Sequence, residues 1–193
     1  MKNKFWNGKF SAIPAAILLL GRTIVKRVIR ILHSKLFQYN IGEAGKNVRI
    51  SSGVYFHYPN TVKLGNNVSI GNNCDIHNFE IPTGKLSVSD NVTIDEDCVI
   101  DYSGDLYIGT GTHIAWGTYI MTHTHGYEAH NSPIPSQLYI GNNVFIGAKC
   151  IITSGVSYIG DNVTIGAGSV VTKDLSGNAV YAGVPAKLIK TKQ

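Results

Sequence analysis

The sequence predicts an all-β parallel solenoid preceded by a basic amphipathic helical segment. Three observations lead there. From about Ile50 onward an aliphatic residue returns every six positions, Gly, Asn and Asp fill the positions between, and the preceding residues show helical spacing instead. At 193 residues with 44% hydrophobic content, the chain suffices for one sizeable core and leaves little room for a second.

The first element spans residues 1–45. Lys2, Lys4 and Lys9 precede the apolar run Ala12 to Leu20, which Arg22 ends with no A-x-A-like cleavage site, so it is not expected to be a signal peptide. The run is shorter than the roughly 20 apolar residues of a spanning helix. Beyond it, Ile24, Val25, Val28, Ile29, Ile31, Leu32, Leu36 and Phe37 recur at helical spacing, with Arg22, Lys26 and Arg30 opposite. Such a stripe packs on the protein's own body or a neighbouring subunit, or makes peripheral membrane contact through residues 10–37. The expected location is cytoplasmic, with peripheral attachment to the inner membrane face left open. Residues 1–40 hold eight Lys or Arg and no acid, whereas the remainder holds nine against all twelve acids. The mildly acidic body excludes a nucleic-acid groove, which needs basic residues on the folded domain itself.

The second element, residues 46–193, is the repeat. Leu64 to Ser69 is followed directly by Ile70 to Asp75; later tracts run Val88 to Val99, Ile108 to Ile120, Ile140 to Ile151 and Ile159 to Val170. Each hexapeptide supplies a short strand and a corner, and three complete a triangular coil with the aliphatic first positions stacked inside. Position five carries Val68, Cys74, Val92, Cys98, Thr112, Thr118, Val144, Cys150, Val163 and Ser169, all small enough for a narrow interior. Gly, Asn and Asp suit the corners because they tolerate positive φ. The three cysteines share this interior position and are too far apart for a C-x-x-C site, so they are expected to be small buried hydrophobes in a reducing compartment.

Several stretches resemble the hexapeptide-repeat acyltransferases, most closely the galactoside, maltose and polysaccharide O-acetyltransferases. They are Ile140-Gly-Asn-Asn-Val-Phe-Ile-Gly-Ala148, Ile165-Gly-Ala-Gly-Ser-Val-Val-Thr-Lys-Asp174 and Ala182-Gly-Val-Pro-Ala-Lys187. The resemblance implies a left-handed parallel β-helix, a hand that the period does not supply, because parallel crossovers are normally right-handed. It also implies a homotrimer with active sites between neighbours, acetyl-CoA as co-substrate, no metal, and a sugar or glycan acceptor in polysaccharide biosynthesis. The break in the repeat between Ile120 and Ile140 matches the family's active-site loop, residues 121–139. Within it His125 matches the catalytic histidine, with His123 as competitor. Histidine suits general-base work because its unperturbed pKa lies near 6.5. Asp95 matches an acceptor-site position, where it could orient an imidazole, bind a sugar hydroxyl, or remain a solvated corner residue. Asp101, Tyr102 and Ser103 match the neighbouring acceptor region. The resemblance lays the pantetheine arm along Gly147, Ala148, Gly166 and Ala167, with a backbone N–H near Ala148 for the oxyanion. Thr172, Lys173 and Lys187 match positions near the nucleotide and its phosphates.

Three other functions use this fold. An N-acetyltransferase acting on a nucleotide-linked amino sugar would employ the same base. A metal-dependent hydratase could draw imidazoles from His123, His125 and His130. The third is a non-catalytic scaffold.

Overall fold

The computed structural model describes residues 40–78, 84–128 and 130–192, together with Ile24, Val25, Val28, Leu32 and Leu36. The helical segment expected over residues 10–37 therefore lies largely outside the described residues; the five within it are helical and exposed.

From Glu43 onward the chain winds through three parallel sheets in rotation. The first sheet takes Glu43–Ala44, Val62–Leu64, Leu86–Val88, Leu106–Ile108, Leu138–Ile140 and Tyr158–Ile159. The second takes Arg49–Ile50, Ser69–Ile70, Thr93–Ile94, His113–Ile114, Phe145–Ile146, Thr164–Ile165 and Ala179–Ala182, and the third Tyr55–Phe56, Asp75–His77, Val99–Asp101, Tyr119–Ile120, Ile151–Ile152 and Val170–Val171. Each strand pairs with its equivalent one coil away, so chemically similar residues meet: Ile70, Ile94, Ile114, Ile146 and Ile165 form one continuous stack. All five are buried, and each contributes about 1.5–3 kcal/mol by leaving water.

The fifth positions fill the rest of the interior as expected. Where such a residue is polar, its hydroxyl finds a backbone carbonyl: Thr112 Oγ1 donates to Gly141 O at 2.9 Å, Thr118 Oγ1 to Gly147 O at 3.2 Å and Ser169 Oγ to Gly166 O at 2.6 Å. These bonds remove the penalty of burying an unpaired hydroxyl. Contact with the Cys98 sulfur, then burial, pushes the Cys74 thiol up, and burial does the same for Cys150; both stay protonated, as core residues should.

The corners explain the asparagines. Asn67, Asn91, Asn143 and Asn162 take φ between 53° and 59°, and their side chains bond from coil to coil. Asn67 Nδ2 donates to Asn91 Oδ1 at 3.0 Å, and Asn162 Nδ2 to Asn178 Oδ1 at 2.9 Å. Asparagine thus supplies both the left-handed backbone and the ladder.

Equivalent corners of successive coils stand 20, 24, 20, 32 and 19 residues apart. The excess over three hexapeptides always falls between a strand of the third sheet and the next strand of the first. One edge of the solenoid therefore collects every insertion. Register returns at once after the longest: Tyr139 stacks on Tyr107 with centroids 4.7 Å apart, and Tyr158 follows at 5.7 Å. At the far end Lys187–Thr191 folds back antiparallel onto Ala179–Ala182, and Lys192 Nζ bonds Asn162 O and Thr164 Oγ1 at 2.7 Å each.

Candidate active site

The longest insertion is a short antiparallel ribbon in which His123–Thr124 pairs with Ile134–Pro135. Its base is seated between the preceding and the following coil. Ser136 N donates to Thr122 O at 2.7 Å, Ser136 Oγ to Ser154 O at 2.9 Å, and Gly104 N to Thr122 Oγ1 at 3.0 Å. A side chain at Gly104 would stand 2.3 Å from Ser136 N and 2.4 Å from Thr122 O, so the ribbon reaches its place only because that residue is glycine.

Asp101 lies beneath the ribbon at 1% exposure. Its Oδ2 accepts from Thr122 N–H at 2.7 Å and from His123 Nδ1 at 2.7 Å. Its Oδ1 accepts from Ser103 N–H at 3.0 Å and from the Ser103 hydroxyl. Burial alone would raise the carboxyl pKa. The bonds from Ser103, Thr122 and His123 outweigh it and hold Asp101 below the ordinary carboxylate range. An ionised carboxylate only accepts, so the proton on His123 sits at Nδ1 and Nε2 is the basic nitrogen.

His125 stands beside it, the two rings edge to face with centroids 5.3 Å apart. Its Nδ1 lies 2.7 Å from the carbonyl of Asn131, which also only accepts, and Asn131 Nδ2 returns a 3.4 Å bond to His125 O. Both imidazoles thus carry the same tautomer, one set by a buried carboxylate and the other by the loop backbone.

Asp95 is elsewhere. Its Oδ2 lies 3.0 Å from His113 Nε2, on the second sheet and its corner, so within one chain it orients His113 and not the loop histidines. Sequence patterns did not reveal that Asp101 is the carboxylate serving His123. The available signal was its position directly after buried Ile100 at the end of a strand, with the next coil's loop folded over it.

The same edge carries a second polar group. His77 pairs in register with Asp101, and its Nδ1 lies 3.3 Å from Asp75 Oδ1. Asn78 is fully buried with neither side-chain amide atom hydrogen-bonded, although its carbonyl meets His57 Nδ1 at 3.0 Å. Sequence inspection passed over all three.

The positions expected to meet the co-substrate gather at the C-terminal coils. Ala148 and Ala167 occupy successive levels of the corner between the second and third sheets, where the Ala148 carbonyl accepts from Gly168 N–H at 2.8 Å. Gly147 and Gly166 are small for a packing reason: a Cβ on Gly147 would stand 2.5 Å from Ala167 N, and one on Gly166 would stand 3.0 Å from Ala182 Cβ. Thr172, Lys173 and Lys187 are exposed, and Ala186 N–H bonds Val170 O at 2.8 Å, bringing Lys187 back beside the last strand of the third sheet. Among the described residues no group of three His, Cys, Asp or Glu side chains is placed to hold a metal ion.

Residues 137–173 match the family described as the hexapeptide repeat of succinyl-transferase. No curated protein matches the sequence. The fold is similar to that of AntD, an N-acyltransferase from Bacillus cereus solved with dTDP and 3-hydroxybutyryl-CoA, with a TM-score of 0.74 at 22% identity, covering 83% of this chain and 88% of that one. It is also similar to a hexapeptide-repeat-containing acetyltransferase from Vibrio cholerae, with a TM-score of 0.57 at 19% identity over 85% and 81% of the two chains. A maltose O-acetyltransferase from Clostridium difficile 630 gives a TM-score of 0.53 at 28% identity over 82% and 74%. Residues 137–173 carry the hexapeptide repeat, and the chain as a whole has the left-handed parallel β-helix fold of these solved acyltransferases.

Proposed function

We propose that this protein transfers an acetyl group from acetyl-CoA to a hydroxyl of a sugar or surface-glycan precursor, with His125 as general base. One observation carries the proposal: two adjacent imidazoles sit on the ribbon with Nδ1 occupied, and the inner one is locked to a buried, ionised Asp101. His125 lies further out on the ribbon and is the group a bound acceptor would meet. His123, 14% exposed and braced by Asp101, positions it. In the reaction the base takes the hydroxyl proton as oxygen attacks the thioester carbonyl. The Ala148 N–H receives the developing oxyanion, and CoA leaves as the thiolate.

Within one chain His125 and Ala148 lie at opposite ends of the third-sheet strands. A site holding both is completed only when the ribbon of one copy reaches the corner of the next, which supports a trimer with active sites between subunits. Lys173 and Lys187 then offer cations to the nucleotide phosphates, and Thr172 a hydroxyl.

A second reading, N-acylation of a nucleotide-linked amino sugar, draws support from the higher TM-score to AntD, a variant of which was solved with dTDP-4-amino-4,6-dideoxyglucose and CoA. An amine acceptor uses the same base.

Thiol release from acetyl-CoA, measured with sugars, lipid-linked glycans and amino sugar nucleotides, tests both. His125→Ala should lower acceptor-dependent release by about 10² to 10⁴ while the variant stays folded. His123→Ala should cost less and should also change the pH–rate profile. Were His123→Ala inactive and His125→Ala active, the two roles would be exchanged. No release with any acceptor, and no acetyl-CoA binding by calorimetry, would remove the transferase proposal.

A further inference from the structure

The five described residues within 10–37 share one property. Ile24, Val25, Val28, Leu32 and Leu36 are helical and between 49% and 66% exposed, so these five side chains are not covered by the protein's own coils. Their spacing returns them to one side of a helix, and by the same spacing Arg22, Lys26 and Arg30 fall off that side. The chain places eight of its seventeen cations in residues 1–40 and none of its acids.

We propose that this segment docks the protein on an anionic lipid bilayer, with the stripe set into the interface and the cations against the headgroups. The charge decides between occupants. A second copy pairing its own segment with the stripe would bring two segments of eight cations together with no acid in either, whereas anionic headgroups neutralise them. A stripe of apolar residues flanked by cations suits a helix lying in the plane of the headgroups. The acyl-transfer proposal is not required for this inference.

Flotation of the full-length chain with phosphatidylcholine vesicles, with and without phosphatidylglycerol, tests it. The native chain should float with the anionic vesicles. Binding should fall by about tenfold or more on pure phosphatidylcholine or in high salt. Val28→Glu with Leu32→Glu should abolish flotation and leave the melting temperature unchanged, because both side chains are exposed. Lys26→Gln with Arg30→Gln keeps the stripe and should weaken binding to anionic vesicles alone. A native chain that stays at the bottom of the gradient at both compositions would overturn the inference. So would a Val28→Glu, Leu32→Glu variant that floats like the native chain, or native non-flotation with an oligomer that this variant dissociates by light scattering, which would assign the stripe to a second copy.

Discussion

Asp101 and Asn78 are both buried on the insertion edge, yet their circumstances are opposite. The carboxylate of Asp101 is fully partnered, and its pKa lies below the ordinary value because its bonds outweigh burial. A group depressed in the folded state contributes stability above its unfolded pKa, near 3.9, and loses it as pH falls through the folded value. Asp101→Asn should therefore lower the melting temperature at neutral pH, by an amount equivalent to about 2 kcal/mol for the lost charged hydrogen bonds. The difference from the native protein should shrink below pH 4, and a constant difference across a thermal-melt series would assign the loss to packing. Asn78 instead buries an amide with no hydrogen bond. Asn78→Leu, close in volume, should raise the melting temperature, since an unsatisfied buried polar group costs about 1–3 kcal/mol. A rise in stability accompanied by a higher KM for the sugar, with KM for acetyl-CoA unchanged, would show that the amide serves the acceptor.

At the scale of the coil, glycine is spent on close approach between levels. Gly147→Ala would force Cβ against Ala167 N at 2.5 Å, backbone that cannot swing aside, and should destabilise by roughly 1–3 kcal/mol in chemical denaturation. The hexapeptide period was legible because a coil repeats one chemical requirement: Ile94, Ile114 and Ile146 answer the same interior, and Asn67, Asn91 and Asn143 the same corner. The site was legible only in part. His123 and His125 stand out as a pair in a broken repeat, but Asp101 joins them through the stacking of different coils, a contact with no local spacing. Asp95 looked equally suitable in sequence and is held by His113. Nor did local spacing show that Gly147 must be small for the next coil, since a Cβ there would meet Ala167 N.

For the whole molecule, the insertions line a single edge and the C-terminal positions proposed for acyl-CoA line another, so under the proposed inter-subunit site activity and assembly should be lost together. Dilution below the dissociation range of the proposed trimer, followed by light scattering and thiol release, should show both falling over one concentration window. A fully active monomer would contradict the shared site. The antiparallel strand Lys187–Thr191 has a different meaning at this scale. A parallel coil that simply stopped would present Ala179–Ala182 as a ready template for the first coil of another copy, and nothing in the repeat itself limits how many copies could join. By reversing direction, and with Lys192 anchored to Asn162 and Thr164, the last strand offers a mismatched edge. Truncation before Lys187 should convert a discrete particle into end-to-end fibres visible by electron microscopy, because the parallel edge of Ala179–Ala182 would then stand open.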